Sequence, residues 1–329
     1  MRNVATFPAT FCLCVLVASG NRSSRGAVSD TAASQTPVVD TIARVYAVVE
    51  GKSSLLYVRP ANGKEPHRLT NRKGGWESGG VFSRNGALIA YATADEPYSH
   101  SEVWISKADG TGAHRVSAAE EDALTPLFGA GDSSLLYIKS GFYGHYSPIA
   151  GSRRHKLDVM KVSRAGDGAA TSAPVQMTQQ EFYEVNSLSL SNDGNQFLLC
   201  TSAYPIGSLL EEFEEAKPLR TGRIFQPHIP GAPRTPSDDG ESIFGEAGYT
   251  KDSLDIVFTA ASQGKSGNYD YNVYRINGVT GDDLAALTHD TGVIDDMHVD
   301  RDGIIVVRRG KHFTLVDPYT GAQKEEKDF

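Results

Sequence analysis

One segment of the sequence concentrates side chains that could form a binding surface. Residues 141–148 read Gly-Phe-Tyr-Gly-His-Tyr-Ser-Pro, and Arg153-Arg154-His155 follow shortly after. Tyrosine and arginine give large, partly polar contact areas, which favours them in recognition surfaces. Packing of a long loop onto its own sheet is the alternative interpretation. The predicted binding residues are Tyr98, His100, Tyr143, His145, Tyr146, Arg153, Arg154, His155 and Tyr183.

Three acidic runs supply the carboxylates that a hard cation such as calcium would need. They are Glu120-Glu121-Asp122, Asp238-Asp239 and Asp295-Asp296. Acidic loops also occur on protein surfaces simply because they raise solubility. We therefore predict no cofactor and keep a divalent cation as the alternative.

Complete motifs for nucleophilic or phosphate chemistry are missing from the sequence. A serine-hydrolase elbow reads Gly-x-Ser-x-Gly, whereas the nearest run, residues 240–244, ends in phenylalanine. A phosphate-binding loop needs a glycine five residues before its Gly-Lys-Ser, but Tyr46 holds that position before Gly51-Lys52-Ser53. Neither motif supports a catalytic prediction.

Five histidines could still converge on a metal ion from separate parts of the chain. The sequence has no His-x3-His or Cys-x2-Cys pair, so the fold itself would have to assemble any such site. That site would support a metal-assisted lyase or hydrolase acting on a polysaccharide or a small ester. The five are His100, His145, His155, His228 and His289.

The composition indicates a globular protein with an acidic surface. The 329 residues are 40% hydrophobic, which is enough for a substantial core, and their formal net charge is −8. A nucleic-acid partner would require a basic stripe, so we exclude that class of partner. The 33 glycines are typical of short strands joined by tight turns.

The first twenty residues are predicted to be a secretory signal peptide. Residues 4–18 are almost continuously apolar after Arg2, and Ala18-Ser19-Gly20 offers small residues for cleavage. A membrane span needs about 20 apolar residues, so this run is short for a retained anchor. We expect a flexible leader over residues 21–36 and a periplasmic or secreted location, with no stable membrane span after cleavage. Cleavage would also leave Cys200, in a predicted buried strand, without a disulfide partner.

A repeated pattern organises the rest of the chain. Each unit has a turn that leads into a short apolar strand, such as Asn85-Gly86 before residues 87–91. A second strand then ends at a turn such as Asp109-Gly110, and a brief strand such as Arg115-Val116-Ser117 follows. Units of about 40–50 residues with four strands each are typical of propeller blades. The glycines of the closing turns are Gly63, Gly110, Gly168, Gly231, Gly281 and Gly321.

The repeat resembles the WD40-like repeat of TolB-type propellers. The matching residues are Phe-Ser-Arg-Asn-Gly-Ala-Leu-Ile-Ala-Tyr at 82–91, Glu-Val-Trp-Ile at 102–105 and Asp-Gly at 109–110. In that family the corresponding elements are Ser-Pro-Asp-Gly, an Ile-Ala-Phe strand, an Ile-Tyr or Ile-Trp strand, and Asp-Gly. The resemblance extends over about residues 44–322. It implies an all-β fold, a six-bladed β-propeller of four-stranded antiparallel blades, and, less specifically, a role in an envelope complex.

We expect one propeller domain over residues 37–329. Because the last unit is short and ends in residues 323–329, we expect Val38–Ala43 to supply the strand that closes the ring. One short helix at most is expected, over residues 208–216, because no stretch shows sustained helical periodicity.

The propeller geometry places the long connections on one face. In a blade whose strands A to D run outward, the B–C and D–A connections emerge together, opposite the A–B and C–D turns. The predicted B–C loops are residues 95–101, 140–156, 202–220 and 262–269, and the predicted D–A loops are 71–79, 118–125, 179–184, 234–241 and 290–295. Long loops on a rigid scaffold are where binding usually occurs.

The residues and their repeat leave two function classes open. The first is an exported, non-catalytic, monomeric propeller that binds a protein or a glycan through its loop-rich face. The alternative is a propeller enzyme, the metal-assisted lyase or hydrolase described above, with a metal ion or an acid–base pair at the axis.

Overall fold

The computed structural model describes residues 13–18, 42–61, 65–97, 99–145, 152–179, 181–182, 184–194, 196–202, 222–225, 244–263, 269–290 and 292–326. Over these ranges the regular elements are β-strands and one 3-10 turn, Ala130–Asp132, which confirms the all-β prediction. The helix expected at 208–216 falls outside the described residues. No helix in the described ranges is long and apolar enough to cross a membrane.

The strands are numbered in chain order. The first twelve are β1 (Leu13–Ala18), β2 (Arg44–Glu50), β3 (Ser53–Arg59), β4 (His67–Arg68), β5 (Trp76–Phe82), β6 (Leu88–Ala94), β7 (Ser101–Lys107), β8 (His114–Arg115), β9 (Asp122–Phe128), β10 (Ser134–His145), β11 (Ser152–Ser163) and β12 (Val175–Gln176). The others are β13 (Glu184–Leu190), β14 (Gln196–Ser202), β15 (Gly222–Phe225), β16 (Phe244–Tyr249), β17 (Asp255–Gln263), β18 (Tyr269–Asn277), β19 (Ala285–Ala286), β20 (Asp296–Val299), β21 (Ile305–Arg309), β22 (His312–Val316) and β23 (Gln323–Glu326).

These strands form five hydrogen-bonded sheets that follow the sequence repeat. Unit I (β2–β4) and unit II (β5–β8) share one sheet, joined through the parallel pair Ser54–Trp76. Unit III (β9–β12), unit V (β16–β19) and unit VI (β20–β23) are separate four-stranded sheets of neighbouring antiparallel strands. Unit IV contains β13, β14 and β15, and its sheet also includes β1.

The strand β1 belongs to the segment that the sequence predicts to be a signal peptide. It lies between β14 and β15 and pairs antiparallel with both, for example through Cys14 with Cys200. Cys200 itself is fully buried in β14, as its apolar neighbours predict. Cleavage after residue 20 is a processing step that this pairing does not test, so the signal peptide stays a prediction.

A hydroxyl group fixes the turn between the first two strands of several units. In unit II the Ser83 hydroxyl donates to Asn85 Oδ1 at 2.8 Å and accepts the Leu88 N–H at 3.0 Å. Ser191 and Thr250 hold the equivalent positions in units IV and V and make the same pair of bonds. Three residues after Ser83, Gly86 has a φ of 73°, a left-handed conformation that favours glycine. In these units the Asx-containing turns seen in the sequence are therefore fixed by hydrogen bonds of a Ser or Thr hydroxyl.

Removing one of these hydroxyls should destabilise the fold. Ser83 is fully buried, so Ser83→Ala removes the acceptor of the buried Leu88 N–H. We expect a loss of about 1–3 kcal/mol in the free energy of unfolding, measured by urea denaturation. Ser133→Ala is the matched control because Ser133 is exposed and makes only a 3.4 Å bond to the Ala130 carbonyl. Equal stability of the two variants would contradict this role.

A second hydroxyl explains the brief Leu-Thr-like ending of units II, III and V. Ser117 Oγ accepts the N–H of Val103 at 3.1 Å, and Thr178 Oγ1 accepts that of Val159 at 2.9 Å. Thr288 makes the corresponding bond to Val273 at 3.0 Å. The hydroxyl therefore continues the ladder at the point where the short fourth strand ends, which satisfies a buried N–H.

The hydrophobic core is divided into clusters between successive units. Separate clusters join unit I to II, II to III, III to IV, IV to V and V to VI. A further cluster joins unit VI back to unit I, with Tyr46 of β2 packed edge-on against Phe313 of β22 at a centroid distance of 4.7 Å. The first and last units of the chain are therefore neighbours.

Two buried ion pairs reinforce the contact between the first and last units. Arg44 Nε lies 2.8 Å from Asp300 Oδ2, and Arg59 Nη1 lies 2.7 Å from Glu326 Oε2. Glu326 belongs to β23, so Gln323–Glu326 occupies the fourth-strand position of unit VI that the sequence assigns to Val38–Ala43. The described part of that segment, residues 42 and 43, pairs with no strand. Residues 38–41 lie outside the described residues, so the role of Val38–Ala43 in closing the ring stays a prediction. Among the described residues, side chains make the contact between the first and last units.

A second correction concerns residues 140–156, which the sequence predicts to be a loop. Most of this segment extends β10 and β11 into a long hairpin, in which Phe142 pairs with His155 and Tyr143 with Arg154. Both strands have 12 residues, against seven in β6 and β7. Cross-strand pairing of large side chains stabilises such an extension. We call this segment, residues 140–156, the hairpin.

Candidate functional site

An axial cavity of about 390 Å³ lies where the units meet. One strand from each unit lines it, namely β2, β5, β9, β13, β16 and β20. The lining extends from deeper residues such as Val81, Leu127 and Val299 to the first residues of β5, β7 and β20 and the last residue of β6, which mark one end of the channel. This is the end of the channel from which the D–A and B–C connections emerge, so the cavity belongs to the face that the sequence predicts to bind. We call that face the loop face and the opposite one the turn face.

The wall of the axial cavity has an apolar half and a polar half. Val45, Ala47 and Val49 of β2 and Leu124, Pro126 and Leu127 of β9 supply the apolar half, which also contains Ser101, Thr125 and Arg154. The polar half comes from β13, β16, β20 and the end of β21. Its side chains are Asn186, Ser187, Glu246, Asp296, His298 and Arg308.

Asp296 and His298 form a charge pair in the polar half. Asp296 Oδ2 lies 3.5 Å from His298 Nδ1. Burial opposes charge on both groups, but the hydrogen bond and the opposite charge outweigh it. They hold the pKa of Asp296 below its ordinary value and raise the pKa of His298. The side chain of His298 is 32% exposed and that of Asp296 is 45% exposed. Both residues line the cavity, so a ligand there would meet both groups.

Glu246 lies on the adjacent inner strand and behaves differently from Asp296. Burial and then the charge of Asp296 raise the pKa of the Glu246 carboxyl to about 7, while a hydrogen bond from Thr259 Oγ1 at 3.1 Å opposes the shift. Two neighbouring carboxyls with pKa values displaced in opposite directions are the arrangement that acid–base catalysis uses. The same arrangement also allows one group to donate and the other to accept a hydrogen bond from a ligand.

Arg308 completes the polar half. It stands directly across the β20–β21 pair from Asp296, whose side-chain hydrogen bond goes to His298, and the charges of His298 and then of Arg308 help to hold the pKa of Asp296 low. The described residues give the Arg308 guanidinium a single long hydrogen bond, from Nη2 to the Asp295 carbonyl at 3.4 Å. Its Nε is buried and meets no hydrogen-bond acceptor among them. The cavity therefore has a cation with spare donors in its wall.

The hairpin brings several of the predicted binding residues to the loop face. Tyr143 is 47% exposed, and its neighbour Phe142, which was not predicted, is 48% exposed. Arg153 and His100 are also exposed. His145 is the last residue of β10, paired with Ser152. Tyr98, Tyr146 and Tyr183 lie outside the described residues.

Arg154 and His155 lie directly across the strand pair from Tyr143 and Phe142 and are less exposed than those two residues. Arg154 lines the axial cavity. It also links unit III to unit II, because its Nε lies 2.8 Å from Asp122 Oδ2 of unit III and its Nη2 donates to Ser101 Oγ of unit II at 2.6 Å. His155 is buried, and its ring stacks on Phe142 at 6.3 Å. The structure therefore places these two residues as supports of the hairpin.

The acidic runs divide into structural and axial residues. Asp122 holds Arg154, and Glu121 accepts the Tyr137 hydroxyl at 2.7 Å. Asp295 Oδ2 accepts the Gly310 N–H at 2.5 Å, and Asp296 lies in the cavity. Asp238 and Asp239 are outside the described residues, as is His228. Among the histidines, cysteines and carboxylates that the structure does describe, no group of three or more is placed to hold a metal ion.

Sequence reasoning missed Glu246, His298 and Arg308. No local motif marks them, because each is a single polar residue on a different part of the chain. One signal was available: Glu246 and Asp296 stand four residues before Thr250 and Asp300, which begin equivalent turns. An alignment of the units on their turns would have placed both carboxyls on adjacent inner strands.

Comparison with solved structures identifies the fold. TolB from Acinetobacter baumannii is similar with a TM-score of 0.58 at 13% identity, covering 89% of this chain and 65% of that one. Hydrazine synthase from Kuenenia stuttgartiensis is similar with a TM-score of 0.57 at 14% identity, covering 97% and 45%. A prolyl endopeptidase structure gives a TM-score of 0.51 at 11% identity, covering 89% and 49%. No family model and no curated protein matches the sequence.

These similarities confirm the predicted fold. The chain has a TolB-like, WD40-like β-propeller fold, as the repeat predicts. It spans less than two thirds of each of the three chains compared. At identities of 11–14% the likeness concerns the fold alone, because one fold carries many functions.

Proposed function

We propose that this protein is an exported, TolB-like binding or scaffold protein that engages a protein partner through its loop face. We further propose that its six units close into a ring of six blades. The contacts between units I and VI and the axial cavity, which is lined by all six units, support the ring. The predicted signal peptide supports a periplasmic or secreted location.

The hairpin is the observation that carries the proposed binding role. Its strands have 12 residues against seven in β6 and β7, and it exposes Phe142, Tyr143 and Arg153. As consecutive strand residues, Phe142 and Tyr143 point to opposite faces of the strand pair. Exposed aromatic residues beside an arginine are the residue types that dominate protein interfaces. Their cross-strand partners are fixed by the Arg154–Asp122 pair and by the stacking of His155 on Phe142. A preorganised surface loses little entropy on binding.

Alanine substitutions on the two faces test this role. Tyr143→Ala should weaken partner binding by at least about tenfold, while the melting temperature changes little because the side chain is half exposed. Tyr319→Ala is the matched control, since Tyr319 is 42% exposed and lies in the β22–β23 turn on the turn face. Binding is measured by titration of the purified partner, and a glycan array run beside it identifies a glycan ligand instead. Equal effects of the two variants would refute the proposed surface.

An enzymatic function is the second candidate, favoured by the opposed pKa shifts of Glu246 and Asp296. In that account Glu246 donates a proton to the leaving group of a polysaccharide or ester, and Asp296 accepts a proton from the water that attacks the scissile bond. It predicts turnover that Glu246→Gln abolishes. The binding account predicts no turnover by either protein.

A further inference from the structure

Beyond the proposed partner surface, we infer that the axial cavity is a binding site for a small organic carboxylate. The carboxylate would meet the Arg308 guanidinium, and the hydrocarbon or ring body would lie on the apolar half of the wall. This site is separate from the exposed residues of the hairpin.

The shape and lining of the cavity favour this class of ligand. Its volume of about 390 Å³ is in the range of small-molecule sites, which combine apolar walls with a few placed polar groups. An inorganic anion would leave the apolar residues of β2 and β9 uncovered. A metal cation would face the positive charges of Arg308 and His298 at close range, which disfavours it.

Arg308 supplies the specific attraction for a carboxylate. A guanidinium has five N–H donors, and it pairs best with a carboxylate through two parallel hydrogen bonds. In the described structure Arg308 makes one long hydrogen bond, and its Nε has no acceptor. The carboxylate opposite, Asp296, is held by His298. A ligand carboxylate would therefore supply acceptors that the protein does not provide.

The other charged groups around the cavity leave this attraction uncancelled at mildly acidic pH. Asp296 is balanced by His298, Asp300 by Arg44, and Asp122 by Arg154. Glu246 carries its proton below a pKa of about 7 and can then donate a hydrogen bond to the ligand. Above that pH its negative charge would repel the ligand, so the affinity should fall between pH 6 and pH 8.

Benzoate and benzamide are suitable probes because they have the same size and differ in charge. At pH 6, calorimetric titration of the full chain should show benzoate binding about tenfold to a hundredfold more tightly than benzamide. Arg308→Gln should remove that preference. Two control variants should keep the preference for benzoate. They are Arg301→Gln, in the turn after β20, where Arg301 lies over the Phe82 ring, and Tyr143→Ala.

Each result either supports or overturns the inference. Equal affinity for the two probes, no binding of benzoate, or a benzoate preference that survives Arg308→Gln would overturn it. If Arg308→Gln does not fold, the comparison of the two probes with the unmodified protein at pH 6 and pH 8 decides the matter. Loss of partner binding in Tyr143→Ala with benzoate binding intact would show that the two proposals stand separately.

Discussion

Asp300→Ala is expected to lower the free energy of unfolding by about 4 kcal/mol, because it breaks a buried ion pair and uncaps a turn. The Arg44 and Asp300 side chains are 3% and 8% exposed, so Arg44 would be left charged with little access to water. Asp300 Oδ1 also accepts the N–H groups of Asp302 and Ile304, both at 2.9 Å. Urea denaturation measures the loss as a lower midpoint with an unchanged slope.

Two further variants separate these contributions. Asp300→Asn keeps an oxygen that can cap the turn but removes the charge, so its loss should be smaller than that of Asp300→Ala. Lys156→Ala breaks an ion pair with Glu181 whose side chains are 55% and 60% exposed, and it should cost no more than about 0.5 kcal/mol. If Asp300→Ala proved as mild as Lys156→Ala, the contact between units I and VI would not contribute to stability as described.

Glu246→Gln is expected to stabilise the protein above pH 7 and to have little effect near pH 4.5. Because burial and Asp296 raise the pKa of Glu246 to about 7, the folded protein holds one more proton than the unfolded chain between about pH 4.5 and 7. Stability therefore falls as the pH rises through this window. Glutamine has no proton to lose, so the variant should gain about 1–3 kcal/mol over the unmodified protein at pH 8.

Denaturation curves at pH 4.5, 6 and 8 measure this difference in stability. Glu181→Gln is the control, because Glu181 lies on the exposed surface, and it should not produce the gain expected of Glu246→Gln. Part of the decline should remain in Glu246→Gln, since the pKa of His298 is also raised and its contribution is lost as the pH rises. Parallel pH profiles for the two proteins would contradict the assignment of Glu246 as a carboxyl with a raised pKa.

The fold was predictable from the sequence because its determinants are local. The turns at Asn85-Gly86 and Asp109-Gly110 depend on side chains within a few residues of each other, such as Ser83 with Asn85 and Asp109 with Thr111. A repeat of such turns leaves short strands between them at a regular spacing. Their spacing then predicts the architecture without any knowledge of long-range contacts.

The extent of the hairpin could not be read from the sequence. Residues 141–148 contain two glycines, a proline and alternating aromatic residues, a composition that fits a loop as well as a strand. The pairing of Tyr143 with Arg154 depends on the register of β10 against β11. That register also decides that Arg154 and His155 support the surface that Tyr143 exposes.

The axial site was the least predictable part of the molecule. Glu246, His298 and Arg308 come from three strands of two units, and nothing in their immediate neighbours distinguishes them from surface residues. Glu246 and His298 reach the cavity because β16 and β20 lie on the inside of the fold, and Arg308 reaches it from the neighbouring strand β21. Sites built in this way become visible when the repeats are aligned and the inner strand is identified.

Photo-crosslinking from matched positions on the two faces tests the proposed binding through the loop face most directly. A photoreactive phenylalanine analogue would replace Tyr143 on the loop face or Tyr319 on the turn face, two tyrosines with 47% and 42% exposure. Binding through the loop face predicts a discrete crosslinked species from position 143 in cells and none from position 319. Crosslinking from position 319 alone, or equally from both positions, would contradict it.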